Sequence, residues 1–197
     1  SYLKSRKLNP SKFYYADRFK HFCNTIKPTF ENVQRDHSRI VIPMYDSNKK
    51  LIGLQGRALD PFIQPKYLTL MLVEDHPKIF GFDTIDETKE VYVTEGPFDS
   101  TFINNSIAMC GSDVDLSDYK NLQFTYVFDN EPRNREIVSK IAKSIEKSHK
   151  VVIFPTQIRE KDINDMVLAG HDVNSLLESN TYTGLKAKLK LQTWKKV

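Results

Sequence analysis

Residues 90–100 read EVYVTEGPFDS. The run 91–95 is short, β-branched and aromatic, which predicts a buried strand, and that strand ends on an acid, Glu95. Gly96 and Pro97 break it at once, and a second acid, Asp99, stands four residues after the first. A hydrophobic strand that delivers a carboxylate to its tip and then turns sharply has the form of a site built at the carboxyl end of a sheet.

Three further apolar runs follow: IAMC (107–110), FTYVFD (124–129) and VVIFP (151–155). Helical patterns separate them. The clearest is 133–148, with Ile137, Val138, Ile141, Ala142 and Ile145 on one face. Strands alternating with helices imply parallel βαβ units. Parallel strands are covered on both faces, which explains why these runs lack polar residues at alternate positions. The fold class expected is α/β, with a mostly parallel, Rossmann-like sheet between helices.

The first part of the chain has a different texture. Asn9 and Pro10 open a helix expected to run to about Ile26, with Pro28 beyond it and Phe13, Tyr14, Phe19 and Phe22 directed to a core. Residues 39–60 hold two β-rich runs around Asp46-Ser47-Asn48-Lys49-Lys50, a hairpin signal, and residues 66–70 continue as extended chain. The polar, acidic segment 83–90 marks the junction. The organisation expected is a smaller basic α+β lobe over 1–85, the α/β domain over 86–180, and a basic helix or tail over 181–197. That tail carries Leu185, Leu189 and Trp194 near helical spacing.

Read at their carboxyl ends, where open α/β sheets bind ligands, the strands deliver acids repeatedly. Run 91–95 gives Glu95 and then Asp99, run 124–129 gives Asp129 and Glu131, and run 151–155 is followed by Lys161, Asp162, Asn164 and Asp165. Two carboxylates about 4 Å apart repel by roughly 4 kcal/mol at an effective dielectric of 20. Either such groups protonate or a cation sits among them, and an all-oxygen donor set selects Mg²⁺ or Mn²⁺. Glu95, beside a glycine that lets substrate approach the backbone, is the candidate acid/base. The plainer reading makes each acid a cap or turn residue, and Asp129 and Asp162 could each serve as an N-cap. For Asp113, Asp115 and Asp118 that reading is preferred, with Asp115 as N-cap and Asp118 at N3.

Composition bounds the rest. The chain has 197 residues, 40% hydrophobic and 27% charged, which is a globular composition. No apolar run approaches the roughly 20 residues of a membrane span, and no secretory signal is seen. The first residue is Ser1, without an initiator Met, so a longer protein is expected. Cys23 and Cys110 are far apart and form no CxxC, so no zinc site is expected in this chain and the setting expected is reducing and cytoplasmic. The net charge of +4 is uneven: residues 1–40 carry nine Lys/Arg against three Asp/Glu, and 181–197 carry five Lys and no acid. Basic flanks around an acidic centre suit a protein that grips a polyanion while holding a divalent metal.

EGPFDS, FDNE and KDIND, in that order, resemble the TOPRIM family pattern E-G-x-x-D, D-x-D and K-D-x-N/D. RIVIPMYDSNKKLIGLQGRAL, followed by PKYL, resembles the basic subdomain that precedes TOPRIM in bacterial-type DNA primases. The resemblance covers roughly residues 39–170, and FDNEPRN and the overall size look closest to the primases of T-even-type bacteriophages. It implies a DNA primase catalytic core, a nucleotidyltransferase that makes short RNA primers on a single-stranded DNA template for DNA replication, in a primosome. The partners implied are single-stranded DNA, ribonucleoside triphosphates and a replicative helicase, with no membrane. The location implied is the cytoplasm, that of the host cell if phage-encoded.

By the same resemblance Glu95 matches the general base. Asp129, Glu131 and Asp162 match the metal-binding acids, with Asp99 and Asp165 as further candidates around two ions. Arg39, Arg57, Lys66 and Tyr67 match positions lining a template and nucleotide groove, to which Lys161 is added. Arg57 and Lys66 are expected on phosphates and Tyr67 on a base. The second motif departs from the pattern, Asp-x-Glu in place of Asp-x-Asp, and Asn164 stands where an acid is common. That leaves open which of Glu131, Asn164 and Asp165 meets metal. No glycine is followed by lysine, so no P-loop holds the triphosphate. Two other functions fit the same residues: a TOPRIM-type metal-dependent nuclease and a non-catalytic nucleic-acid-binding module.

Overall fold

The computed structural model describes residues 2–111 and 114–197, and the chain divides into two compact units. The first comprises Ser1–Asp83 with Cys110–Val114, the second Thr84–Met109 with Asp115–Val197. The chain thus crosses between units at the start of the polar segment 83–90. The brief return over Cys110–Val114 carries no sequence pattern of its own, and residues 181–197 belong to the second unit.

The first unit holds an antiparallel sheet in the order β1-β2-β3-β4: β1 (Tyr14–Ala16), β2 (Arg39–Tyr45), β3 (Leu51–Ala58) and β4 (Tyr67–Met71). The unit also holds a further short strand, β5 (Ile79–Phe80), a one-turn helix, α1 (Tyr2–Ser5), and α2 (Phe19–Ile26). The β2–β3 hairpin closes where expected. Asp46 Oδ1 accepts from the backbone N–H groups of Asn48 and Lys50, both at 2.9 Å, and Lys49 takes the positive φ of 61° the turn requires.

α2 lies on this sheet through Phe19 and Cys23, packed with Val41, Leu54 and Leu70. Phe19 is fully buried because β3 offers it a bare backbone: a Cβ at Gly56 would stand 2.6 Å from its ring. The single helix expected from Asn9 to Ile26 is corrected. Asn9 does cap a turn, accepting from Ser11 N at 3.1 Å, but that turn is a 3-10 segment of three residues, Pro10–Lys12. The β-prone Tyr14 and Tyr15 then pair with β2 and stay exposed, and Phe22 is exposed on α2.

In the second unit the sheet runs β10-β9-β8-β6-β7: β6 (Val91–Thr94), β7 (Ser106–Met109), β8 (Phe124–Tyr126), β9 (Lys150–Val152) and β10 (Thr181–Tyr182). β7, β6, β8 and β9 are parallel neighbours and β10 adds an antiparallel edge. The helices are α3 (Pro97–Ser100), α4 (Arg135–Glu146), α5 (Ile163–Ala169), α6 (Val173–Ser179) and α7 (Gly184–Trp194). Two cores form: Ile137, Ile141 and Ile145 of α4 pack with Ala187, Leu191 and Trp194 of α7, while Ile163, Met166, Val173 and Leu177 of α5 and α6 pack with Val127, Val152 and Phe154.

The final helix therefore packs through Ala187, Leu191 and Trp194. Of the three residues at helical spacing in the tail, Trp194 is buried, whereas Leu185 and Leu189 are exposed. Asp115 does not open a helix: its Oδ1 accepts from Ser117 N at 2.9 Å in a turn, and Asp113 lies outside the described residues. Among the described residues no helix is long and apolar enough to cross a membrane.

Candidate active site

The parallel register decides where the acids fall. Val93 pairs with Tyr126, and Tyr126 with Val151, so β6, β8 and β9 end along one edge of the second unit's sheet. Neighbouring strands are about 4.8 Å apart, so side chains just past their ends are drawn close. Glu95 follows β6 directly, and Asp129 follows β8 after the buried pair Val127 and Phe128.

Asp129 is the group that senses the crowding. Burial, followed by the charges of Asp162 and Glu95 and then of Glu131, pushes its carboxyl from 3.8 up to about 6, against the opposing pull of Lys161. These four acids form one electrostatic set at the sheet edge. Part of their repulsion is offset by the chain itself: Lys140 Nζ meets Glu95 Oε1 at 2.6 Å and Glu136 Oε1 at 2.9 Å, and Lys161 Nζ lies 3.5 Å from Glu131 Oε1.

Helix α4 positions two of the acids. Its N-cap Asn134 accepts from Glu136 N at 3.0 Å and donates to Glu131 Oε2 at 3.3 Å, and further along the helix Lys140 reaches Glu95. Asp162 is the N-cap of α5, its Oδ1 accepting from Asp165 N at 2.7 Å. Capping and membership of the acidic set are thus combined in one residue. Asp99, on α3, accepts from the next N–H of α5, Asn164 N at 3.0 Å, and Asn164 is buried. A Cβ at Gly96 would press on Asp99 Oδ2 at 3.2 Å, so the glycine leaves room for that carboxylate.

Asn130, between Asp129 and Glu131, is buried and fully engaged. Its Nδ2 donates to the carbonyls of Ile158 and Glu160, each at 3.0 Å, and its Oδ1 accepts from Trp194 Nε1 at 3.1 Å. This side chain locks the acid-bearing turn to the loop before α5 and to the last helix. Sequence reasoning missed the pairing of Lys140 with Glu95 and that of Asn130 with Trp194, whose partners lie 45 and 64 residues apart.

The donor set is all oxygen and suits a hard divalent ion. Among the described residues no three His, Cys, Asp or Glu side chains already stand as a metal-holding group. Glu95 and Glu131 face lysines, and Asp162 holds a cap. Burial pushes the thiols of Cys23 and Cys110 up to about 12.

The basic residues expected at a groove fall in the first unit, apart from Lys161. Arg57 Nη1 donates to the Tyr67 hydroxyl, and its guanidinium lies 5.4 Å from the centroid of the Tyr67 ring and 5.9 Å from that of Tyr2. Lys66 Nζ lies 5.8 Å from the Tyr67 ring. Arg39 lies beneath this patch at 2% exposure, donating to the carbonyls of Gly56 and Pro65 at 3.0 Å and of Lys66 at 3.1 Å. It holds the segment that carries Lys66 and Tyr67, and its guanidinium is turned to backbone.

The chain is 31% identical over 206 residues to the DNA primase of Enterobacteria phage T4, an alignment that takes in 100% of this chain and 60% of the relative. It is similar to that DNA primase along its whole length. The chain thus spans about 60% of that relative's length. No family model matches it. Among solved structures, the zinc-binding and RNA polymerase domains of the Aquifex aeolicus primase superpose with a TM-score of 0.67 at 20% identity, over 92% of this chain and 55% of that one. A DnaG primase catalytic domain bound to ssDNA superposes with a TM-score of 0.61 at 16% identity, over 87% of this chain and 67% of that one. The fold is that of the primase catalytic core.

Proposed function

We propose that the chain is the catalytic core of a DNA primase that joins ribonucleotides into short primers on single-stranded DNA. The observation that supports this reading best is the set Glu95, Asp129, Glu131 and Asp162, crowded enough at one sheet edge to lift the Asp129 carboxyl to about 6. Phosphoryl-transfer enzymes use such carboxylates to hold divalent metal. Sequence similarity to a primase along the whole chain supports the same reading.

Asp129, Glu131 and Asp162 are the residues that would hold Mg²⁺ or Mn²⁺, with Asp99 and Asp165 behind them. Such ions, two in this proposal, would neutralise charge on the transferring phosphoryl group and on the leaving pyrophosphate. Glu95 would take the proton of the primer 3′-hydroxyl as its oxygen bonds to the α-phosphorus and the bond from that phosphorus to the bridging oxygen breaks. Lys140 holds the Glu95 carboxylate in place at 2.6 Å. Arg57, Lys66 and Tyr67 would contact template or nucleotide in the first unit, Arg57 and Lys66 through phosphates and Tyr67 by stacking, and Lys161 would meet phosphate beside the acids. A replicative helicase and a cytoplasmic location belong to the same proposal.

The test incubates the chain with labelled single-stranded DNA, ribonucleoside triphosphates and Mg²⁺. New RNA products are expected. Shortened DNA would instead establish a nuclease, and metal-independent binding with no product at any Mn²⁺ concentration would establish a binding module.

A further inference from the structure

Beside the acidic set, within the second unit, lies a cleft of about 660 Å³. Three separate segments wall it: the turn 130–134, the loop 155–159, and the chain around Trp194 and Lys196. Hydrogen bonds tie these walls together. Asn130 holds Ile158 and Glu160 by its amide nitrogen and Trp194 by its oxygen, and Lys196 N donates to the Pro132 carbonyl at 2.8 Å. The cleft is therefore formed before anything enters it.

Its chemistry is divided. Pro132, Pro155, Ile158 and Trp194 give an apolar lining, and Arg133, Arg159 and Lys196 supply one cation from each wall. All three cations are exposed and, among the described residues, none forms an ion pair. The one acid in the lining, Glu131, faces Lys161 and Asn134. An ordinary solvated charged face has no need of a concave apolar floor. An apolar lining with guanidinium groups at its edge matches a base or ribose joined to phosphate, and the volume lies within the roughly 300–1,000 Å³ of small-ligand sites.

The geometry points to this cleft as a second nucleotide-binding site, in which Arg133, Arg159 and Lys196 take phosphate groups and the proline and isoleucine walls take the base or sugar. The inference rests on the proposed nucleotide chemistry of the neighbouring acids. The phosphates belong either to a free nucleoside triphosphate or to a nucleic-acid strand passing the site.

Trp194 is the chain's single tryptophan, so its fluorescence reports on the cleft directly. The chain, without divalent metal, is titrated separately with ATP and with a short 5′-phosphorylated oligodeoxynucleotide. A saturable change in Trp194 emission is expected with at least one of them. The probe that saturates identifies the source of the phosphates. Arg133→Ala and Arg159→Ala should each weaken that binding about tenfold, the size of one lost charged hydrogen bond. Lys188→Ala, on the exposed face of α7, should leave it within about twofold. No saturable change with either probe, or equal weakening in all three variants, overturns the inference. Because binding is read without metal or turnover, loss of primer synthesis alone counts against the proposed activity and leaves this site standing.

Discussion

Replacing Asp129 by Asn should make the protein more stable at neutral and alkaline pH. The carboxyl titrates near 3.8 in an ordinary setting and at about 6 in the folded protein, through burial first and then the charges of Asp162, Glu95 and Glu131. Between those values the native state keeps a proton that the unfolded chain has given up, so stability is lost as pH rises through that window. At 1.36 kcal/mol per pH unit the full effect is about 3 kcal/mol. With solvent screening of a group that is only partly buried, about 2 kcal/mol is the reasonable expectation. Asn mimics the protonated form. Urea unfolding with chelator present, followed by circular dichroism, should show Asp129→Asn about 2 kcal/mol more stable than the parent near pH 8, with the two converging near pH 4. A variant equally or less stable near pH 8 would mean that the acids do not crowd one another, and the reasoning from the sheet edge would fail.

Glu95→Gln should abolish primer synthesis while single-stranded DNA affinity, measured by fluorescence anisotropy, stays within about twofold; full activity would remove Glu95 from the reaction. Arg57→Ala should weaken single-stranded DNA binding and reduce by about one the slope of log affinity against log salt, and an unchanged slope would take Arg57 off the phosphates. Gly56→Ala should cost about 1–3 kcal/mol in chemical denaturation, because its Cβ would meet the Phe19 ring at 2.6 Å; an unaltered midpoint would show that Phe19 can move aside.

The second unit was the more legible part of the sequence, because parallel strands buried on both faces leave uninterrupted apolar runs and because acids follow three of those runs. β6, β8 and α4 fall within a few residues of where periodicity put them. The amino-terminal aromatic stretch was less legible. Its cap was real, but Tyr14 and Tyr15 have strand propensity and a β2 edge to pair with, and the helix resumes only at Phe19. In α7 the spacing of Leu185 and Leu189 is as helical as that of Ala187 and Leu191, and only packing against Ile137, Ile141 and Ile145 selects the second stripe. The counter-ion Lys140 could not be found at all from sequence: a lysine on an amphipathic helix looks like any solvated lysine until the fold brings it to Glu95.

Manganese binding read by electron paramagnetic resonance tests the central claim most directly, that Asp129 and its neighbours share a divalent ion. The parent chain should take up Mn²⁺ in competition with Mg²⁺, and Asp129→Asn should lose most of that affinity. Equal Mn²⁺ uptake by the two proteins, or none by the parent at millimolar Mn²⁺, would contradict it.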